Sequence, residues 1–292
     1  MAPAKSNITH PPCSLQLKAI ALGVACAAGI HPLQVAAQDE TAVIEELVVW
    51  GRSLQLLGSA DSASQGVVGY ADFSTRPLAR VGELVEVVPG MIATQHSGPG
   101  KANQYFLRGF NLDHGSDFST FFEGMPVNFR THAHAQGYMD LNFIIPEIIE
   151  RVDFKKGPYF ANTGDFSLAG TSSMKTYDTL ERGFVEVTAG SGDEIRAVVA
   201  DSFSTEQGSL LYALEHQQTN GMFVLDQDVR KYNGLLKYTG EIGGIPSQLT
   251  LTAYDSGWVS TNQVPHRAVA SRQIDRFGFI DPDLGGQSHR YS

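Results

Sequence analysis

The sequence predicts an α+β domain followed by the antiparallel β-strands of an incomplete transmembrane β-barrel. Three features support this fold class. The N-terminus carries an export signal, residues 71–178 mix one helical repeat with short strand-like runs, and residues 182–292 hold alternating runs of strand length. Alternating strands of about ten residues joined by turns are typical of outer-membrane barrels.

Residues 1–37 are expected to be a signal peptide. Lys5 and Lys18 supply a basic beginning, AIALGVACAAG (19–29) is an apolar run, and Val35-Ala36-Ala37 offers small residues for cleavage. The alternative is a membrane anchor, which needs about 20 apolar residues and is therefore disfavoured by the shorter run. The sequence predicts an exported protein.

The composition narrows the class of protein further. The chain has 21 Lys and Arg against 31 Asp and Glu, which argues against non-specific binding to nucleic acid. Both cysteines, Cys13 and Cys26, fall within the expected signal peptide, so the mature chain would have no disulfide and no cysteine metal site. An exported, acidic, cysteine-free chain with 30 glycines fits the periplasm or the outer membrane of a Gram-negative cell.

Residues 38–70 are expected to form an extended arm. It holds one short apolar run, Leu47–Trp50, and then a stretch rich in small, polar and glycine residues. A run of this length cannot build a core, but it can pair with a partner as an added edge strand.

Residues 71–178 are expected to form a small α+β domain. The apolar residues of Pro77–Val88 have helical spacing, and Pro89-Gly90 ends the pattern. Further pieces are two strand-like runs at 104–110 and 117–127, a turn at Glu123–Pro126, and an apolar helical turn at Ile144–Ile149.

Five alternating runs follow, at residues 183–192, 194–204, 208–221, 230–243 and 246–258, and GGQSHRYS (285–292) reads as the start of a sixth. A soluble β-sandwich shows the same alternation and is the alternative. Six strands cannot enclose a domain of this size, because outer-membrane transporters with a plugged lumen use about 22 strands. We therefore expect this sequence to be the front part of a longer protein.

Six stretches in this order resemble one family. They are EELVVWGRS (45–53), VGELVEVVPGM (81–91), FLRGFN (106–111), EGMPVN (123–128), IPEIIERVDFKKGPY (145–159) and GDFSLAGTSSMKT (164–176). Their order is similar to that in the N-terminal part of a TonB-dependent outer-membrane receptor: signal peptide, TonB box, plug domain and first barrel strands. The box departs from the family at Trp50, where many relatives have threonine.

The resemblance implies a receptor that imports a scarce ligand without covalent chemistry. The plug would fill the barrel, and the ligand would bind at the outer face. The implied partners are TonB with its inner-membrane energising complex, outer-membrane lipid, and a small-molecule or metal ligand. We expect a siderophore-like metal chelate or a metal ion as cargo, with no permanent cofactor. The residues expected to contact TonB are Glu45, Glu46, Leu47, Val48, Val49 and Trp50.

A second group of residues is expected to hold the plug or couple it to the barrel. Arginine can form paired hydrogen bonds with carboxylates of the barrel wall, and glycine permits close approach or a positive φ. The residues are Arg108, Gly109, Glu147, Glu150 and Arg151.

Histidines cluster in the predicted plug loops. Imidazole suits Zn, Cu, Ni or Fe, and His132-x-His134 would place two rings on one side of an extended segment. We predict a ligand site formed by His96, His114, Arg130, His132, His134 and Tyr138, with His132 and His134 as metal ligands. One alternative is a binding site that includes one of these histidines but no bare metal ion. The other is that these side chains only form hydrogen bonds within the plug or to the wall.

An enzyme is the competing class of function. The sequence has neither a Gly-x-Ser-x-Gly elbow nor a His-Glu-x-x-His helix. We therefore predict that the protein is not an enzyme. A secreted β-rich binding module, or a hydrolase without a transport role, remains the alternative.

Overall fold

Three β-sheets make up the part of the chain that the computed structural model describes, which is residues 62, 64–76, 80–95, 99–261 and 263–292. The expected signal peptide (1–37), the predicted TonB-contacting segment Glu45–Trp50 and His96 lie outside the described residues.

The α+β domain contains a five-stranded sheet in the order β1-β7-β8-β5-β6 and a three-stranded sheet in the order β2-β3-β4. All pairings are antiparallel except β5 with β8. The elements are β1 (Gln65–Gly69), α1 (Tyr70–Phe73), β2 (Met91–Thr94), β3 (Gln104–Leu107), β4 (Phe110–Asn111), β5 (Phe118–Phe122), β6 (Met125–Pro126), β7 (Ile149–Lys156) and β8 (Gly170–Thr176). Since β1 precedes residue 70, this sheet begins earlier than the predicted domain boundary.

Both predicted helical segments are 3₁₀ rather than α-helical. The first spans Val81–Val87 and the second Pro146–Ile148. Valine is stiff at χ1 and disfavours the α-helix, and Pro89 prevents the first segment from continuing. Leu84 and Val85 are fully buried in the domain core all the same. No helix among the described residues is long and apolar enough to cross a membrane.

Both predicted strand-to-turn motifs form two-residue turns. Arg108 and Gly109 have φ of 53° and 81° between β3 and β4, and Glu123 and Gly124 have φ of 50° and 80° between β5 and β6. Positive φ at both central residues matches the twist of a tight hairpin, and glycine adopts it without steric cost. Met125 and Pro126, predicted as part of the turn, instead form β6.

The third sheet has six antiparallel strands that follow one another in sequence order. All five predicted runs and the sixth form strands. They are β9 (Phe184–Gly190), β10 (Glu194–Thr205), β11 (Gly208–Thr219), β12 (Val229–Ile242), β13 (Ile245–Val259) and β14 (Gly285–Tyr291). The sheet is not closed: β9 and β14 each pair with only one neighbour among the described strands. A second short helix, α2 (His266–Ala270), lies between β13 and β14.

The two faces of this six-stranded sheet have inverted polarity. Large apolar side chains point to solvent, with Val185 74% and Leu249 54% exposed. The opposite face buries polar and charged side chains, including Glu215, Lys231 and Lys237. A soluble sandwich would bury its apolar face, so the sandwich alternative does not fit this sheet. An apolar exterior and a polar interior are the signature of a membrane barrel wall.

A buried ionic network joins the α+β domain to the polar face of the sheet. Arg196 of β10 donates to both Glu147 carboxylate oxygens, at 2.6 and 2.9 Å, and to Glu215 of β11 at 2.6 Å. Lys231 Nζ lies 3.1 Å from the same Glu215 oxygen. Asn233 donates to the second Glu215 oxygen at 2.6 Å and to the backbone oxygen of Asn142, in the α+β domain, at 3.0 Å. Each charged side chain of this network therefore has an opposite charge beside it.

A second network is centred on Lys237 of β12. Its ammonium lies 3.2 Å from Glu123 of the β5–β6 turn and 2.8 Å from Asp178. Glu123 Oε1 also accepts from the Thr176 backbone N–H at 2.5 Å, and Glu123 Oε2 accepts from Gln248 of β13 at 2.5 Å. The Glu-Gly turn therefore contacts two neighbouring strands of the sheet.

The residues predicted to hold the plug behave differently from one another. Glu147 accepts hydrogen bonds from Arg196 of the sheet. Arg151 instead pairs with Asp153 of its own strand at 3.3 Å, and Glu150 is exposed. Arg108 is exposed in its hairpin turn, and its backbone N–H donates to Gly90 at 2.8 Å. The prediction missed Glu123, which carries the contact to Lys237.

Replacing Glu147 by glutamine is expected to lower the free energy of unfolding by about 1–3 kcal/mol, because the partly buried Arg196 keeps only one of its two carboxylates. Urea unfolding of the chain in detergent micelles measures this. Glu150→Gln is the matched control, since Glu150 is exposed, and it is expected to change stability by less than about 0.5 kcal/mol. Equal effects of the two variants would contradict the role of the ion pair.

Asp178 is expected to make stability depend on acid. Burial opposes its ionisation, but hydrogen bonds from Lys237 and Thr239 outweigh burial and lower the pKa of Asp178. A carboxylate with a lowered folded pKa stabilises the fold above its unfolded pKa of about 4, and this is lost as the pH falls through the folded pKa.

The unfolding midpoint is therefore expected to hold between about pH 7 and 5 and to fall below about pH 4. Asp178→Asn should reduce that acid-dependent fall. Asp281→Asn is the control, because Asp281 accepts only from the nearby Asp283 N–H. An acid dependence that is the same in Asp178→Asn and the parent chain would disprove this assignment.

Candidate functional site

The predicted histidine motif lies in a loop closed at its base by two strand-like contacts. Phe129 and Tyr138 pair as an isolated bridge, with Phe129 N–H donating to Tyr138 O at 3.0 Å and Gly137 N–H donating to Phe129 O at 2.7 Å. Between them the chain bends and does not run as an extended strand. We call residues 129–138 the histidine loop.

A second segment, the turn at residues 113–118, packs against the histidine loop. The side-chain nitrogen of buried Asn128 lies within 3.0 Å of the carbonyl oxygens of Gly115, Phe118 and Gly137, and its oxygen accepts from Thr120 N–H at 2.7 Å. One amide therefore ties the turn to both ends of the histidine loop. Asn128 ends the EGMPVN motif, but no role was predicted for its side chain.

Tyr138 is the surface on which three imidazole rings gather. The His132 ring stacks on it at 4.0 Å between centroids, and the His114 and His134 rings lie at 5.6 and 5.8 Å. Its hydroxyl accepts from the buried Ala102 N–H at 2.8 Å, and burial raises the pKa of Tyr138 to about 12. A ring with both its face and its hydroxyl engaged is a rigid platform.

His114 is buried, and one of its ring nitrogens is fixed by the backbone. Its Nδ1 lies 3.0 Å from both the Ala102 and Asn103 carbonyl oxygens. Carbonyl oxygens only accept, so Nδ1 carries the proton and the lone pair of the neutral ring is on Nε2. Nε2 lies 3.8 Å from Asp113 Oδ1, and the His134 ring meets the His114 ring edge to face at 4.3 Å.

Asp113 reaches His114 although the two residues are adjacent. Side chains of adjacent residues in a strand point to opposite faces, so a strand at this position would keep the two side chains apart. Asp113 has a positive φ of 52°, and its N–H donates to the Asn111 side chain at 2.9 Å. This turn geometry brings its carboxylate round to the imidazole.

His132 and His134 have different roles in the structure. His132 Nδ1 accepts from the backbone N–H of His134 at 3.2 Å, and burial, with a further contribution from His134, lowers the pKa of His132. A neutral His132 with Nδ1 as acceptor has its proton on Nε2. The structure therefore does not present His132 and His134 as the predicted pair of metal ligands, because the bent segment commits His132 to the loop backbone.

Among the described residues, Asp113, His114 and His134 are close enough together to hold a metal ion. One potential ligand atom from each lies within 4.8 Å of the others, and Asp113 and His134 are accessible to solvent. Two imidazoles and a carboxylate are a donor set used for zinc and for non-haem iron. Arg130, also predicted for the site, forms an exposed ion pair with Asp165 at 3.5 Å instead.

The rings of His114, His132 and His134, called here the histidine cluster, lie toward one end of the strands of the six-stranded sheet. Residues 206–207 and 243–244 make short turns at one end of the strands, whereas residues 220–228 and 260–284 make longer connections at the other end. Gly100, two residues before Ala102, packs so closely on Trp258 that a Cβ would lie 2.0 Å from its ring. Trp258 is next to the end of β13 that leads into the long connection, so the cluster belongs to the long-loop side.

Comparison with known proteins shows what part of this chain is similar to. The family model of the TonB-dependent receptor plug domain matches residues 59–171. The vitamin B12 transporter BtuB of Vibrio vulnificus is 24% identical over 274 residues, which cover 93% of this chain and 41% of the transporter. The chain thus spans less than half the length of this relative.

Solved structures agree on the fold. The pyoverdine outer membrane receptor FpvA of Pseudomonas aeruginosa PAO1 is 20% identical, with a TM-score of 0.52 over 67% of this chain and 28% of the receptor. The FpvAI–pyocin S2 complex gives 18% identity and a TM-score of 0.54 over 77% and 29% of the two chains. Residues 59–171 are therefore similar to the plug domain of TonB-dependent receptors, and the chain shares its fold with the N-terminal part of these solved receptors.

Proposed function

We propose that this chain supplies the plug and part of the wall of an outer-membrane receptor that imports a scarce metal-containing ligand with energy from TonB. The observation that carries the proposal is the buried network between Glu147, Arg196 and Glu215, which holds a plug domain against the polar face of an inverted sheet. A sheet with this polarity needs lipid against its apolar face and polar groups against its opposite face. The plug would supply those polar groups, and a gated importer requires such a plug to close the barrel.

The lengths of the connections at the two ends of the strands suggest how the proposed receptor is oriented in the membrane. Outer-membrane barrels have short periplasmic turns and longer extracellular loops. The turns at 206–207 and 243–244 would then face the periplasm, and the connections at 220–228 and 260–284 would face outward. This orientation places the histidine cluster at the side from which a ligand arrives.

The proposed energy source is TonB, paired with the apolar segment Glu45–Trp50 as an added strand. The outer membrane has no proton gradient of its own, so work on the plug must come from the inner membrane. Ligand binding outside must change the availability of this segment inside, which is a coupling free energy between two sites.

We propose a metal ion or a metal chelate as cargo. The relatives are named for vitamin B12 and pyoverdine, and a copper transporter, OprC, has the same fold with a TM-score of 0.50. What supports a metal-containing cargo in this chain is its own imidazole cluster on the proposed outer side of the plug. Imidazole is a ligand for first-row transition metals.

Cellular uptake tests the proposed function. Cells lacking the gene for this chain are compared with the parent strain for accumulation of labelled zinc, copper, a ferric siderophore and vitamin B12. Loss of one of these activities in the mutant, restored by the gene and abolished by an uncoupler of the proton gradient, is the expected result. Equal accumulation of every cargo in the two strains would refute the importer.

Deleting Glu45–Trp50 is expected to abolish uptake while leaving ligand binding to the cell surface unchanged, because only the contact with TonB is removed. Uptake and binding of the cargo found in the preceding experiment are measured on the same cells. A deletion of equal length at residues 54–59, between this segment and β1, is the matched control and should retain uptake. Normal uptake without Glu45–Trp50 would contradict the assignment of this segment to TonB.

A further inference from the structure

We propose that Asp113, His114 and His134 bind a divalent first-row transition-metal ion directly, with His132 and Tyr138 as positioning residues. The proposal rests on the proposed function only for the meaning of the site as a cargo site. The three ligands themselves follow from the geometry of the plug.

The donor atoms already lie close to coordination geometry. Two ligands of a tetrahedral ion with bonds of about 2.0–2.1 Å are about 3.3 Å apart. Asp113 Oδ1 and His114 Nε2 are 3.8 Å apart, and all three donors lie within 4.8 Å of one another. Closing the site therefore needs a movement of about 0.5–1.5 Å, measured against that tetrahedral spacing. The exposed histidine loop can supply this movement, since His134 and its neighbours pack against little of the core.

His114 is the fixed ligand. Metal-binding histidines usually donate their other ring N–H to a carbonyl or carboxylate, which sets the tautomer and the ring orientation. The Nδ1 of His114 is held in this way by two carbonyl oxygens at 3.0 Å. The ring is buried, and its Nε2 lies 3.8 Å from Asp113 Oδ1 before any ion arrives.

His132 and Tyr138 position His134, the exposed ligand. His132 Nδ1 accepts the backbone N–H of His134 and stacks on Tyr138 at 4.0 Å. Tyr138 is itself fixed by the Ala102 N–H. These contacts reduce the number of conformations from which the His134 ring must be drawn to the ion, so losing them should weaken binding less than losing a ligand does.

Three protein ligands leave at least one coordination position open, as in catalytic zinc sites. That position accepts water or a donor atom of a weakly chelated metal. A chelate whose own donors fill the coordination sphere of the iron leaves no position for an imidazole. The site therefore selects a hydrated ion such as Zn²⁺ or Cu²⁺, or a chelate with an open position, over a saturated ferric siderophore.

Titration of the full chain in detergent with Zn²⁺ and Cu²⁺ tests the site, with calorimetry for affinity and electron paramagnetic resonance of bound Cu²⁺ for the number of coordinating nitrogens. All proteins carry Cys13→Ser and Cys26→Ser so that no thiol competes for the metal. The parent should bind one equivalent with a Kd in the micromolar range or lower, and its Cu²⁺ spectrum should show two imidazole nitrogens.

The variants separate ligands from positioning residues. His134→Ala and Asp113→Asn, both at accessible side chains, should each weaken binding about tenfold or more, and His134→Ala should leave one nitrogen in the Cu²⁺ spectrum. His132→Ala should weaken binding less and keep the two-nitrogen spectrum. His266→Ala, a histidine at the start of α2, is the control and should change nothing. His114→Ala is read only if its unfolding curve matches that of the parent.

Two results would overturn the proposal: no saturable binding by the parent, or equal affinity in the parent, Asp113→Asn and His134→Ala. Loss of one nitrogen in His132→Ala would transfer the ligand role to His132 and refute the assignment as written. Uptake assays separate this site from the proposed function. Metal binding by the chain, with equal accumulation of all four cargos in the two strains, would retain the site and reject the importer. Metal uptake unaffected by Asp113→Asn with His134→Ala would retain the importer and reject the role of the site in binding cargo.

Discussion

The inverted polarity of the six-stranded sheet is the constraint on which the rest of the structure depends. A sheet that exposes Val185, Leu249 and Leu251 and buries Glu215, Lys231 and Lys237 has no stable arrangement in water alone. Its buried charges need partners, and the α+β domain provides them through Glu147 and Glu123. The ionic contacts therefore fix where the plug sits, while its apolar core of residues such as Leu84, Phe118 and Ile149 fixes how it folds. Removing one of these charges is expected to weaken the contact between the plug and the sheet before it weakens the fold of the plug.

The histidine loop lies on the same side as one group of contacts between plug and sheet. Asn142 and Glu147 contact the half of the sheet that leads into the long connections, while Glu123 contacts the other half. Asn128 then ties the histidine loop to the turn that carries Asp113 and His114, and Tyr138 orders the rings around itself. Buried and exposed ligands are combined in one proposed site: His114 is buried and held by carbonyls, whereas His134 is exposed on a bent loop.

Strand positions could be predicted from the sequence because alternation is a local signal, and all six runs became strands within a few residues. The 3₁₀ character of Val81–Val87 was not predicted, because the apolar spacing of one 3₁₀ segment and one short α-helix is nearly the same. Glu123 and Lys237 are 114 positions apart, and no local pattern reveals which of many charges will meet. The histidines were predicted as candidate ligands, but the proximity of Asp113, His114 and His134 was not. This proximity depends on the positive φ of Asp113 and on the side-chain hydrogen bonds of Asn128, and residue spacing predicts neither.

The central claim is that the apolar face of this sheet contacts lipid while the plug covers the other face. Spin labels placed one at a time at Val187, Leu214 and Leu251, with Asp281 in the long connection as the aqueous reference, measure this in reconstituted membranes. The account predicts high accessibility to oxygen and low accessibility to a water-soluble nickel complex at the three apolar positions, with the reverse at Asp281. Equal access of the nickel complex to all four positions would contradict it.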